Sequence, residues 1–158
     1  MVKKLLCLSL LLVSVQIQAL EQGEWNFDLN VASKHSEESY GSGDYNEENW
    51  GLGASYGYWD NLDLKFGFFE NSYDKTSVYA GAFYHKDFYF GDWTVAPGVG
   101  LLLATGYDDT PENAPVVAPI LMPAITFGHR AVKANVGLIP FGQVKAATLQ
   151  LQFNFDHF

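Results

Sequence analysis

Phe66-Gly67-Phe68-Phe69-Glu70-Asn71-Ser72-Tyr73-Asp74-Lys75-Thr76-Ser77-Val78-Tyr79 reads as a strand, a short polar turn and a returning strand. Before the turn, Leu62, Leu64, Phe66 and Phe68 recur at every second position; after it, Val78, Ala80, Ala82 and Tyr84 do the same. A period of two marks a strand with one apolar face. The turn sets Asn71 and Ser72 between two apolar strands, and Ser72 is the first residue expected to do chemistry.

Outward from this hairpin the alternation repeats. A first strand is expected at about 24–35, with Trp25, Phe27, Leu29 and Val31 on one face. A second, at about 49–59, alternates Trp50, Leu52, Ala54, Tyr56 and Tyr58 with Gly51, Gly53, Ser55 and Gly57. Beyond the central pair, strands are expected at about Trp93–Tyr107, Pro115–Phe127, Ala131–Ile139 and Val144–Phe155, the last with its odd residues outward and Phe158 out of phase. No window carries a helical period. Connections at 36–48, 70–77, 108–114 and 140–143 read as outer loops; those at 60–61, 91–92 and 128–130 read as shorter periplasmic turns. Eight strands joined by alternating long loops and short turns is the smallest common size of a transmembrane barrel.

The 158-residue chain opens with Lys3 and Lys4, an apolar run from Leu5 to Val15, and Ile17-Gln18-Ala19. That is the pattern of a cleaved signal peptide, residues 1–19, and the run is shorter than the roughly 20 residues that span a bilayer as a helix. Cys7 leaves with it, so the mature chain, 20–158, has no thiol chemistry. Losing Lys3 and Lys4 lowers the basic count from 9 to 7 against 18 acids, a net charge of about −11. Such a balance excludes phosphate-driven nucleic-acid binding. With 16% aromatic and only 17% charged residues, the chain cannot dress the surface of a soluble domain. A secreted all-β chain of this kind is expected as an eight-stranded antiparallel barrel in an outer membrane, as a monomer.

On that topology His35 closes the first strand at the outer rim, and Asn71 and Ser72 close the third at the same rim. A hydroxyl is a weak nucleophile until a base takes its proton, so a His beside a Ser is the minimum for acyl transfer. The other histidines, His85, His129 and His157, read as interfacial anchors or solvated groups. The acidic loop Glu37, Glu38, Asp44, Glu47 and Glu48 reads as a solvated loop, with a divalent-cation site as the alternative. Trp25, Trp50, Trp59 and Trp93 read as an interface belt. Gly51, Gly53, Gly57, Gly98 and Gly100 ease curvature or clear a slot for an acyl chain. No strand face carries metal-ligand spacing, and neither metal nor cofactor is expected.

Three segments carry a family resemblance. Tyr45-Asn46-Glu47-Glu48-Asn49-Trp50-Gly51-x-Gly53 after His35, Phe69-Glu70-Asn71-Ser72-Tyr73, and Pro119-x-x-x-Pro123 followed by Gly128 and Ile139-Pro140 resemble, in the same order, the outer-membrane lipid A palmitoyltransferases of the PagP type. The resemblance covers most of the mature chain. It implies transfer of an acyl chain from a phospholipid donor to lipid A at a site facing outward. It also implies a catalytic set of His35, Asn71 and Ser72, with Pro119, Pro123 and Pro140 marking places where lipid enters sideways. The middle residue departs from the family: Asn stands where it has Asp, and an amide can orient but cannot carry charge or take a proton. Glu70 or Asp74 could supply a carboxylate. The chain reaches its first strand with little room for the family's N-terminal amphipathic helix.

Overall fold

A computed structural model describes residues 22–36, 39–40, 43–108, 115–140 and 145–157; the expected signal peptide, most of the 108–114 loop, residues 141–144 and Phe158 lie outside them. Eight long strands form: β1 (Trp25–His35), β2 (Gly51–Trp59), β3 (Leu62–Glu70), β4 (Thr76–His85), β5 (Trp93–Thr105), β6 (Val117–His129), β7 (Val132–Ile139) and β8 (Ala146–Asn154). Each pairs antiparallel with the next. β8 pairs with β1, from Asn26↔Asn154 to His35↔Ala146, and the sheet closes. Phe88–Phe90 adds a short strand beside the start of β5, and Ser39–Tyr40 pairs with Gly43–Asp44 in a two-residue ladder. After β8 the chain ends in a 3₁₀ turn, Phe155–His157.

The burial pattern is that of a soluble protein turned inside out. Leu52, Leu64, Phe66, Phe68, Val78, Leu101, Leu103, Ile125, Phe127 and Leu138 all face outward. The buried positions include Asp28, Ser55, Asp63, Lys65, His85, Asp87, Thr94, Asn135 and Gln152. A continuous apolar outer wall of this extent needs lipid as its solvent, and a sheet closed on itself is the way strands cross a bilayer. The chain is a transmembrane β-barrel of the outer-membrane type.

Its interior, away from the His35 rim, is filled by paired polar groups. Lys65 Nζ donates to Asp28 Oδ2 at 3.3 Å and to Gln150 Oε1 at 2.9 Å. Ser55 Oγ donates to Asp28 Oδ1 at 3.2 Å, and Gln150 Nε2 to Asn30 Oδ1 at 2.9 Å. Nearer the opposite rim His85 lies between two carboxylates, Nδ1 2.6 Å from Asp87 and Nε2 3.4 Å from Asp63, while Tyr89 donates to Asp87 at 2.7 Å. His85 is therefore an interior ion partner and not the interfacial anchor expected; it shares the inward, odd-numbered face of β4 with Ser77, Tyr79 and Phe83, while Val78 and Tyr84 face outward. His129 is exposed and edge-on to Trp93.

The glycines make room for side chains and not for an acyl chain. A Cβ at Gly53 would meet the Tyr79 hydroxyl, and one at Gly98 or Gly100 the Phe83 ring. Tyr79 and Phe83 thus cross the lumen where the slot was expected.

Phe66→Arg, at the middle of the outer face of β3, is expected to destabilise the barrel by about 2–4 kcal/mol. Urea unfolding in lipid vesicles, followed by tryptophan fluorescence, measures it, with Ser55→Ala, which removes one interior bond, as the milder comparison.

Candidate active site

The site begins with a bulge. Along β1, Asn26, Asp28 and Asn30 face the lumen, so a regular strand would turn Ser33 and His35 to the lipid. Between Asn30 and Ala32 the register with β8 shifts by one, and Val31 is the extra residue. Above it Ser33 pairs with Thr148 and His35 with Ala146, both inward positions on β8. The β1–β2 ladder ends at Asn30↔Gly51, just below the bulge. The segment 45–50 fills that side instead: the Ser33 backbone N–H donates to the Glu47 carbonyl at 2.9 Å.

Ser72 comes from the β3–β4 turn, which Asn71 builds. Asn71 is fully buried. Its Oδ1 accepts from the backbone N–H of Tyr73 (2.9 Å) and Lys75 (3.1 Å); its Nδ2 donates to Ser77 Oγ (3.0 Å) and to the Gly106 carbonyl (2.9 Å). Both donors and both acceptor positions are committed, none of them to His35. The 45–50 segment is tied to the same turn. Asn46 N–H donates to the Ser72 carbonyl at 2.9 Å, and Asn49 Nδ2 to the Glu70 carbonyl at 3.0 Å.

These constraints bring three side chains into line. Ser72 Oγ lies 2.8 Å from His35 Nε2. On the far side of the ring, Glu47 Oε1 is 3.8 Å from His35 Nδ1 and accepts from the His35 backbone N–H at 3.2 Å. Lys34 Nζ donates to Glu47 Oε2 at 2.9 Å. The Lys34 ammonium first, and the His35 N–H after it, hold the Glu47 carboxyl below the usual carboxylate range, so Glu47 is ionised at neutral pH. At 3.8 Å its charge stabilises an imidazolium without a direct bond to it. Tyr45 stacks on the imidazole, centroids 4.4 Å apart and planes 12° from parallel, and the His35 side chain is only 6% exposed.

Below this line the lumen opens into a cavity of about 120 Å³. Phe69, Leu102, Ile120, Met122, Ile139 and Leu149 supply apolar wall. A space of this size holds about six carbons. The β6–β7 ladder, running from Lys133↔Gly128 to Gly137↔Ala124, ends beside it. Among the described residues no pair joins these strands above Ala124, where Pro123 and Pro119 follow on β6. Both prolines stay in register with Val99 and Leu103 of β5, and Pro140 ends β7. Proline cannot donate to a ladder, and the seam is open beside the cavity walls Ile120, Met122 and Ile139.

His35 and Ser72 are thus brought together as expected. Asn71 sits behind the pair as the builder of the turn. The carboxylate set behind the His35 ring is Glu47, which the sequence reading left in a solvated loop. Asn46 and Asn49, two amides bracketing two acids just before a strand, were the signal that this loop is fastened. Among the described residues no group of three or more His, Cys, Asp or Glu converges as metal ligands would.

Fold and site together define a membrane-spanning barrel with a Ser–His–Glu line at one rim over an apolar cavity. No family model matches the chain, and no curated protein matches it significantly. Among solved structures it is similar to outer membrane protein AlkL, determined by solid-state NMR in DMPC lipid bilayers. The two are 16% identical, the match covers 85% of this chain and 90% of AlkL, and the TM-score is 0.38. At that level the likeness carries no argument about the site.

Asn71→Asp would place a carboxylate against the Gly106 carbonyl and remove both donors. It is expected to lower stability by about 1–3 kcal/mol and to lower, not raise, any activity of the site; thermal unfolding beside an activity assay measures both.

Proposed function

We propose that this barrel is an acyl-ester enzyme of the outer membrane, an acyltransferase that takes an acyl chain from one membrane lipid and passes it to a hydroxyl of another. The observation that carries this is the 2.8 Å contact between Ser72 Oγ and His35 Nε2, with the Glu47 carboxylate behind the ring. His35 takes the Ser72 proton as Oγ attacks the ester carbonyl carbon. The tetrahedral intermediate collapses by breaking its bond to the alcohol oxygen, which leaves with the proton from His35. The acyl group stays on Ser72. An acceptor hydroxyl then gives its proton to His35, attacks the acyl carbon and releases Ser72 Oγ, which recovers that proton.

The resemblance to the palmitoyltransferases supplies the partners: a phospholipid donor, lipid A as acceptor, and the site rim facing outward. The seam above Ala124 offers the lateral path such substrates require, ending beside the cavity. Glu47 takes the place of the carboxylate that Asn71 cannot provide.

A second reading is hydrolysis, with water as the acceptor. It is favoured by the partial exposure of Ser72 and Glu47, which lets solvent reach the acyl group. A barrel that only binds lipid is the third, and the aligned Ser–His pair speaks against it.

Mass spectrometry of lipid A from cells producing the chain is expected to show one added acyl chain, and free fatty acid in its place if water is the acceptor. Ser72→Ala and His35→Ala are each expected to lower product at least 10³-fold, and Glu47→Gln less, by about 10- to 100-fold, with all variants still folded in the membrane. Unchanged product in either of the first two would remove their roles.

A further inference from the structure

The cavity wall is apolar, yet it carries polar atoms that nothing in the protein satisfies. Asn49 Oδ1 and Ser33 Oγ are buried without a hydrogen-bond partner, and both residues line the cavity. Asn49 is 7% exposed. Buried polar atoms are nearly always paired, so an orphan in a cavity wall points to a group that a ligand brings.

Their placement is uneven. Ser33 is two residues from His35 on the same inward face of β1, roughly 7 Å along the strand. Asn49 is anchored by its amide nitrogen to the carbonyls of Asn46 and Glu70, which fixes its oxygen as a free acceptor near the Ser72 turn. Ser33 offers a hydroxyl, both donor and acceptor; Asn49 offers an acceptor alone. Together they suit a hydroxyl group on the ligand, donating to Asn49 and exchanging with Ser33. Asn30 and Tyr79 lie deeper, beside the Lys65–Asp28–Gln150 floor.

We infer that the acyl group this site takes is oxygenated near its carbonyl end, a 3-hydroxyacyl ester, in place of the plain saturated chain of a phospholipid that the resemblance implies. The inference rests on the acyl-ester reading above and names its substrate class. With the carbonyl carbon at Ser72 Oγ, the oxygen on the third carbon lies a few ångströms further into the lumen, on the side of the cavity that Ser33 and Asn49 line. The first carbons fill the small cavity, and the rest of the chain leaves through the open seam above Ala124.

The test uses the purified folded barrel in detergent with two chromogenic substrates, the p-nitrophenyl esters of 3-hydroxytetradecanoic and tetradecanoic acid. The hydroxylated ester is expected to have a kcat/KM roughly tenfold higher or more, because a site built to pair a hydroxyl discriminates against the analogue lacking it. Ser33→Ala, whose side chain makes no bond in the protein, is expected to narrow that preference to within about threefold. Equal kcat/KM for the two esters, each dependent on Ser72, would overturn the inference and leave the acyl-ester reading standing, the orphan atoms then being met by water. The same comparison is made for binding, by titrating the two free acids into Ser72→Ala protein and following tyrosine and tryptophan fluorescence. Tighter binding of the hydroxy acid with no Ser72-dependent cleavage of either ester would keep the inferred ligand and remove the reaction. Equal binding with no cleavage would overturn both.

Discussion

The site depends on one extra residue in β1. A strand has a period of two with no tolerance, so the outward phase set by Trp25, Phe27 and Leu29 would carry on to His35. Val31 breaks that phase by one. Ser33 and His35 above it then turn into the lumen. The bulge also ends the β1–β2 ladder at Asn30↔Gly51, and the gap admits the 45–50 segment with its carboxylate. A register defect thus does two jobs: it re-aims His35, and it makes room for the carboxylate behind it.

The rest of the lumen is built to stay shut. Asp28, Asp63 and Asp87 are matched against Lys65 and His85 by short contacts, with Ser55, Gln150 and Tyr89 taking remaining positions. A buried ion pair of this sort is costly to break singly, because the partner left behind is an unpaired charge. A solute crossing the lumen would have to part several at once. The cavity under His35 and Ser72 is therefore a blind recess. It lies under the His35 rim and beside the stretch of β6 and β7 above Ala124 that carries no ladder pairs among the described residues.

Much of this was legible in the sequence. Alternation located all eight strands, since each barrel strand meets lipid on one side and the lumen on the other, and their ends agree within two or three residues. His35 and Ser72 were legible because they close strands at the same rim. The bulge was not: Val31 is a β-branched residue in a regular apolar pattern, with no Gly or Pro to mark it. For the same reason Val31 was placed on the lipid face when it lines the cavity. Glu47 was hidden among four other loop acids. Only its tertiary partners, Lys34 and the His35 N–H, separate it from its neighbours. Asn71 was read as an orienting group in the place of the family's Asp; its amide nitrogen meets the Gly106 carbonyl, which an ionised carboxylate could not face.

The chemistry assigned to the site also fits where the site lies. Ester linkages of membrane lipids sit at the boundary between headgroups and hydrocarbon. A nucleophile at the rim, with an apolar recess just below it, meets the carbonyl at that boundary and the chain beneath it. Depth alone would admit any acyl chain, because apolar walls reward burial without regard to identity. Discrimination has to come from the few polar atoms in the wall, and these are costly to carry unless something pairs them. Asn49 is the telling case. Its amide nitrogen alone would suffice to fasten the loop, and a carbonyl oxygen comes with it whether or not it is needed. Ser33 has no such excuse, for alanine would fill the same place on β1 and keep its backbone bond to Glu47. A hydroxyl kept in an apolar wall beside the Ser72–His35 pair, doing nothing for the fold, is where selectivity among acyl chains would be most economically placed.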